Sequence, residues 1–340
     1  MSKLRVAVIG VGIYGSNHLL AYSANPSVEL VAVCDFRTDR LAAIAARYPV
    51  KTFTDVETMF LSVEIDAVSV ATPDAYHLDP VMKAIRYGKH VLVEKPLATV
   101  LGDSETIIQA AEANGVRVAV DYHKRWDPAA INLKNELHKN ETGRPIRGYM
   151  SMDDVIDVPT RWFDWAHRSS PGHFLGTHCY DLIRWYMECE VTEVYAVGSK
   201  GVLSGQGIDT WDTIQAFLTF ENGCHWTVEN AWILPSGFPK ANDGRTQILT
   251  EHALLRADSQ NRGVEFYNAS KGSTPNSYFI IDNNGRPYGF GIEPINDFVD
   301  CLLTNKPFIA TARDGLEAEI IADAVHRSLE LSQPVKIKRQ

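Results

Sequence analysis

The first third of the chain alternates short, almost wholly apolar runs with longer stretches whose apolar positions recur at helical spacing. LRVAVIG (4–10), VELVAVCD (28–35), DAVSVAT (66–72), KHVLVEK (89–95) and VRVAV (116–120) are rich in β-branched residues and lack polar alternation. That is the pattern of strands buried on both faces of a parallel sheet. The stretches between them, 14–24, 38–48, 55–62, 76–88 and 101–115, predict helices, several closing on Gly or Pro. Repeated strand–helix alternation with right-handed crossovers gives a doubly wound α/β sheet.

Past about residue 123 the pattern changes. Helices are predicted over 127–139 and 173–187, and then apolar and polar positions alternate in TEVYAVGSK, TWDTIQAFLTF and CHWTVENAWIL, with Asn222-Gly223 between the last two. A period of two around an Asn-Gly turn predicts antiparallel pairing. Helices over 291–304 and 313–331 close the sequence. Two domains follow, 1–123 and 124–340, the second of the α+β kind and without repeats. No Gly/Ser-rich linker separates them, so a ligand is expected in the crevice between them.

A length of 340 residues supports two domains of ordinary size. The formal charge of −9 excludes a general phosphate-backbone binder, which needs clustered Lys and Arg, so no nucleic-acid partner is expected. Cysteines 34, 179, 189, 224 and 301 are odd in number and form no Cys-x-x-Cys pair, which argues for reduced thiols and a cytoplasmic location. The opening MSKLRVAVIG is broken by Arg5 and followed by glycines where a signal peptide needs more apolar length. No run approaches the ~18 apolar residues of a membrane span.

Gly10-Val11-Gly12-Ile13-Tyr14-Gly15 is G-x-G-x-x-G directly after the first predicted strand and at the opening of the first helix. Asp35 closes the second strand, where an acid hydrogen-bonds a ribose 2′-hydroxyl. The glycines let a pyrophosphate approach backbone N–H groups at a helix N-terminus without a Cβ in the way. The first domain therefore reads as a Rossmann domain. Asp35 favours NAD, because its carboxylate repels the 2′-phosphate of NADP; Arg37 and Arg40 lie just beyond it and keep NADP open.

GVGIYGSNH, VAVCD, DAVSVATPDAYH, GKHVLVEKPLA, DYHKRWDP and GTHCYDLIRW together resemble the glucose-fructose oxidoreductase, inositol dehydrogenase and MocA (GFO/IDH/MocA) oxidoreductases, across nearly the whole chain. Glu94-Lys95-Pro96 is the most diagnostic element. The resemblance implies a Rossmann domain followed by an open, mainly antiparallel sheet domain that commonly pairs with a second subunit. It also implies NAD(P)-linked chemistry at a carbinol carbon of a sugar, inositol or related polyol. Thr72, Pro73, Glu94 and Lys95 fall at carboxyl ends of strands, where such sheets bind ligands, and Lys95 is suited to hydrogen-bond the reacting hydroxyl and, where burial or cationic neighbours lower its pKa, to share in its deprotonation. Pro73 and His77 look like the segment running under the cofactor, with a polar residue of a helix's first turn as the alternative for His77. The Lys95-Pro96 bond is a candidate cis peptide.

His178, in G-T-H-C-Y-D, is similar to the family's catalytic histidine, and imidazole has an ordinary pKa of ~6.5, near working pH. Asp181, one turn on, is placed to orient it or to bind substrate. Many members carry an aspartate four residues before the histidine; here that residue is Phe174. The change points to a different substrate using Lys95 and His178, with an imine, a dihydrodiol or a keto-sugar as alternatives, or to a dinucleotide-binding sensor that has lost turnover. Trp162 resembles a family aromatic near the sugar pocket, and Trp165 and Trp126 are candidates for the same task. Arg125 is expected to hold a substrate oxygen or to brace the crossover. His167, His173, His178 and Cys179 fit no common closed zinc site, so no metal is expected.

Overall fold

A computed structural model of the protein describes residues 3–260, 262–270, 272–276 and 278–339. The chain forms two compact units. One is the chain up to Trp126 together with Phe279–Leu316; the other is Asp127–Tyr278 with the chain from Glu317 onward. None of its described helices is long and apolar enough to cross a membrane, and all five cysteines are free thiols.

The first unit runs β1 (Leu4–Ile9), α1 (Ile13–Ala24), β2 (Val28–Cys34), α2 (Thr38–Ala45), β3 (Lys51–Phe53), α3 (Val56–Ser62), β4 (Ala67–Val70), α4 (Leu78–Arg86), β5 (His90–Glu94), α5 (Leu101–Ala113) and β6 (Val118–Asp121). The sheet order is β3-β2-β1-β4-β5-β6, and every neighbouring pair is parallel. This is a doubly wound sheet whose order reverses between β1 and β4, the usual place for a ligand. The five apolar runs became strands. β3 had no comparable signal, because Lys51 and Thr52 are exposed on an edge strand.

One face of this sheet is covered by α1 and by a helix from far along the chain, whose Ile295, Phe298 and Val299 pack in one core with Leu19, Tyr22, Leu92 and Ala119. Hence 279–316, which the sequence reading assigned to the second domain, belongs to the first unit's core. A face that α1 alone cannot cover takes its apolar cover from the returning chain.

The second unit contains α6 (Pro128–Leu137), β7 (Pro145–Val155), α7 (Pro171–Phe174), α8 (Gly176–Met187), β8 (Val191–Ser199), β9 (Thr213–Phe220), β10 (His225–Leu234), β11 (Asn242–Thr250) and β12 (Leu254–Asp258). The chain closes with α9 (Glu293–Thr304), α10 (Ala312–Leu331) and the short strand Val335–Lys336. The sheet order is β12-β11-β7-β10-β9-β8-(Val335–Lys336). Pairing is antiparallel except between β7 and β10, which run parallel. Gly223 takes φ 78° in the Asn-Gly turn that joins β9 to β10, the conformation expected of glycine there. The helix predicted over 173–187 is interrupted at Leu175, giving α7 and α8.

Alternate residues of the sheet, among them Met150, Met152, Ile214, Leu218, Trp226, Val228 and Trp232, are buried. Gly148 pairs with Trp226 across β7 and β10. A Cβ at Gly148 would lie 2.2 Å from the indole ring, so the tryptophan occupies the space a side chain would need. Gly148→Ala is therefore expected to cost about 1–3 kcal/mol through overpacking, measured by urea denaturation; an unchanged midpoint would show that the indole moves freely.

Candidate active site

At the end of β1, Gly10 has φ +85°, and a Cβ there would meet the Ala71 carbonyl oxygen at 2.6 Å. A Cβ at Gly15 would lie 2.0 Å from the Gly10 carbonyl oxygen. The first glycine thus lets the turn pack on the end of β4, and the last lets α1 pack on the turn. Gly12 differs, since a Cβ there would meet only the Arg40 guanidinium, at 3.6 Å. It is the N-cap of α1, makes no side-chain cap, and no acid stands in the first turn. The helix N-terminus beside Ile13 and Tyr14 therefore offers N–H groups and the positive end of the helix dipole, which suits a dinucleotide pyrophosphate.

Asp35 is buried at the end of β2. Its Oδ2 accepts the Val11 N–H at 2.9 Å and its Oδ1 accepts the Arg37 N–H at 2.8 Å. Each carboxylate oxygen retains a lone pair for a hydroxyl donor. The Arg37 guanidinium donates to Asp39, at 3.1 and 2.6 Å. Arg40 Nη1 lies 3.8 Å from Asp35 Oδ2.

Beyond β4, the Thr72 hydroxyl donates to the Tyr76 carbonyl at 3.0 Å, and Pro73 opens a single 3₁₀ turn. His77 is buried with Nε2 2.9 Å from the Thr72 carbonyl and Nδ1 2.7 Å from the Pro96 carbonyl. Its ring thereby latches the turn after β4 to the turn after β5. The Lys95-Pro96 bond is cis, and Lys95 is 3% exposed.

Glu94 and Asp121 are register partners at the ends of β5 and β6, so their side chains share a sheet face. On α1, His18 and Tyr22 are one turn apart and lie over that face. His18 Nε2 is 3.0 Å from Glu94 Oε1 and 3.7 Å from Asp121 Oδ2, while Nδ1 is 2.9 Å from the Ser69 hydroxyl, which is 2.6 Å from that of Tyr22. Burial and the Glu94 charge push the Asp121 carboxyl well above its ordinary value, against the opposing pull of Lys95. Burial, and then the Lys124 and Lys95 cations, hold His123 well below the usual histidine range. The His123 ring lies between those of Tyr14 and Phe290, at 6.3 and 5.9 Å.

In the second unit, His178 and Asp181 lie one turn apart on α8, both buried. Phe174 ends α7 inside an aromatic group, with ring centroids 5.2 Å from Phe163, 6.0 Å from Trp165 and 5.7 Å from Trp232. Phe163 and Trp165 stack at 4.5 Å. Trp162, the residue before this group, is 49% exposed.

Residues 4–122 match the family model described as "Oxidoreductase family, NAD-binding Rossmann fold", and residues 131–256 match the "GFO/IDH/MocA C-terminal domain". The chain belongs to the GFO/IDH/MocA oxidoreductase family. Its first unit is an NAD-binding Rossmann domain. An uncharacterized oxidoreductase of Bacillus subtilis is 28% identical over 99% of this chain and 97% of its own. The myo-inositol 2-dehydrogenase of Thermotoga maritima is 26% identical over 98% and 99%. The scyllo-inositol dehydrogenase of Lactobacillus casei, solved with NAD(H) and scyllo-inositol, superposes with a TM-score of 0.84 at 20% identity, covering 99% of each chain. At that identity the likeness is one of fold.

Several expected site residues of this family member have internal partners. Arg125 donates to the Ile309 carbonyl and to Asp314, at 3.0 Å, which braces the returning segment. His77 bonds two carbonyls. Of the four residues weighed for zinc, His173 stacks on His326 at 4.1 Å and lies 3.3 Å from the Ser170 hydroxyl, while His167 is exposed. Among the described residues, the one group of three or more His, Cys or carboxylates with donor atoms this close is instead His18, Glu94 and Asp121. Neither His18 nor Asp121 is among the site residues expected from the sequence. The signal was present: His18 stands three residues after Gly15 on the buried side of α1, and Asp121 ends an apolar strand.

Asp121 also predicts a pH dependence. Its folded pKa lies above the unfolded value, so its contribution to stability is present in full below about pH 4 and is lost as pH rises through the folded value. Asp121→Asn, which cannot ionise, should gain on the wild type as pH rises from about 4, read as the difference in unfolding free energy. A difference constant with pH would show that Asp121 titrates as it does in the unfolded chain.

Proposed function

We propose that the protein is an NAD-dependent oxidoreductase that moves hydride between the nicotinamide and a carbinol carbon of a sugar, cyclitol or related polyol. The observation that carries this is the 3.0 Å hydrogen bond between His18 and Glu94. It ties the helix opened by the glycine turn to the residue before Lys95, at the carboxyl end of the sheet where the dinucleotide turn also lies. The relative named myo-inositol 2-dehydrogenase supports the choice of a cyclitol-like substrate.

Bound NAD supplies the hydride acceptor or donor, which no side chain can provide. In this proposal Lys95 donates a hydrogen bond to the substrate oxygen and shares its proton, and His178 of the second unit takes or returns the hydroxyl proton. Asp181 orients the imidazole, and Trp162 offers an exposed aromatic face to a sugar ring. Thr72, Pro73, Glu94 and His77 shape the floor of the cofactor site. Asp35 selects NAD: it stands where the ribose hydroxyl is bound, and the neighbouring Arg37 is paired with Asp39. A sensor without turnover is the second reading. It is favoured by the aromatic packing of Phe174, which puts an apolar ring four residues before His178.

Sugars, cyclitols and their keto forms, screened with NAD(H) at 340 nm, separate the two. Lys95→Met should lower turnover at least about a hundredfold, with NAD affinity kept within a few-fold; normal turnover would remove Lys95 from the mechanism. Asp35→Ser should lower the preference for NAD over NADP by about tenfold or more, measured as the ratio of the two kcat/KM values. We further propose that the solvent side of the second unit's sheet receives a second copy of the chain. Tyr195, Val197 and Phe217 lie on it at 42%, 47% and 47% exposure. Phe217→Asp should then shift the protein toward monomer in light scattering, and an unchanged mass would exclude this face.

A further inference from the structure

Two carboxyl groups and an imidazole meet where water is excluded. Glu94, Asp121 and His18 are 6%, 2% and 0% exposed, and a ligating atom from each lies within 4.8 Å of the others. Two carboxylates this close in a buried site are costly to ionise together, so one holds a proton. The geometry indicates which. Glu94 takes the direct bond from His18 Nε2, and Asp121 stands farther off at 3.7 Å. On the other side of the ring, Nδ1 is bonded to Ser69 and Ser69 to Tyr22, so one chain of hydrogen bonds runs from Tyr22 to Glu94.

Among the described residues, the charged and titratable groups that act on Asp121 or on its neighbours lie on three elements. Glu94 and Lys95 lie on β5 and the turn after it, His18 and Tyr22 on α1, and His123 and Lys124 on the turn after β6. Lys95, buried and directly after Glu94 at the end of β5, pulls the Asp121 carboxyl down against burial. It already supplies the positive charge that a metal ion would bring, and His18 Nε2 is committed to Glu94.

We propose that His18, Glu94 and Asp121 are positioning residues for Lys95: the set carries one negative charge while Asp121 is protonated and two once it ionises, and that charge decides how firmly Lys95 keeps its ammonium proton. The set acts through its field, and no proton passes along it during turnover. Its importance for catalysis rests on the proposed role of Lys95, whereas its effect on the lysine's charge does not. Asp121→Asn fixes the charge at no more than one, and Glu94→Gln removes the charge of Glu94. Both lower the pH at which Lys95 gives up its proton.

The test is a titration of the full chain carrying [ε-13C]lysine, followed by NMR without substrate, with the Lys95 signal assigned by its loss in Lys95→Met. The Lys95 midpoint is expected to fall by about 0.5–1.5 pH units in Asp121→Asn and by a similar amount in Glu94→Gln. The alkaline-side pKa of kcat/KM should move by the same amount. A midpoint unchanged within about 0.2 units, in a variant with wild-type circular dichroism and NAD binding, overturns the proposal. If neither variant folds, the wild type decides. Its Lys95 signal should show a second inflection as Asp121 ionises, and a single inflection overturns the proposal. If no sugar or cyclitol is turned over, the functional proposal fails while the titration still decides this one.

Discussion

A carboxylate buried at the end of a parallel strand has to be hydrogen-bonded, and the surroundings of Lys95 depend on how Glu94 meets that demand. His18 meets it from α1. The same helix starts at the glycine turn, so the bond that satisfies Glu94 also ties that helix to the strand that leads into the Lys95 turn. Leaving Glu94 without its imidazole would strand a buried charge, at a cost of several kcal/mol. The arrangement is thereby enforced by the folding energetics of the first unit, independently of any ligand.

The second unit solves a different problem. Its broad sheet buries one side beneath α7 and α8 through indoles and aliphatic chains, and Trp226 lies where only Gly148 leaves room. Phe174 belongs to that apolar economy as much as to any site: it sits at the end of α7 with Phe163, Trp165 and Trp232 around it. An aromatic wall of this kind gives a facing hydroxyl no hydrogen-bond partner in exchange for those it has in water.

The expected strands, helices and Gly turn were legible because each carries a local signature: an unbroken apolar run, a 3.6-residue period, a residue without a Cβ. The failures were equally physical. β3 is a three-residue edge strand with exposed Lys51 and Thr52, and it has no periodicity to detect. The parallel pairing of β7 with β10 lies in the crossover between them and not in either strand's pattern. The break at Leu175 falls inside a continuous helical pattern.

The sequence by itself determined the doubly wound sheet, the dinucleotide turn with Asp35 opposite it, and the placing of Lys95 at a strand end, since each follows from residues a few positions apart. Tertiary structure alone decided that His18 bonds Glu94, 76 positions away, that His77 latches two turns together, and that 279–316 completes the first unit's core. A buried polar group requires a partner, but chain spacing does not say which one. That choice is made only when the sheet's register and the helix packed on it bring the two groups within hydrogen-bonding distance.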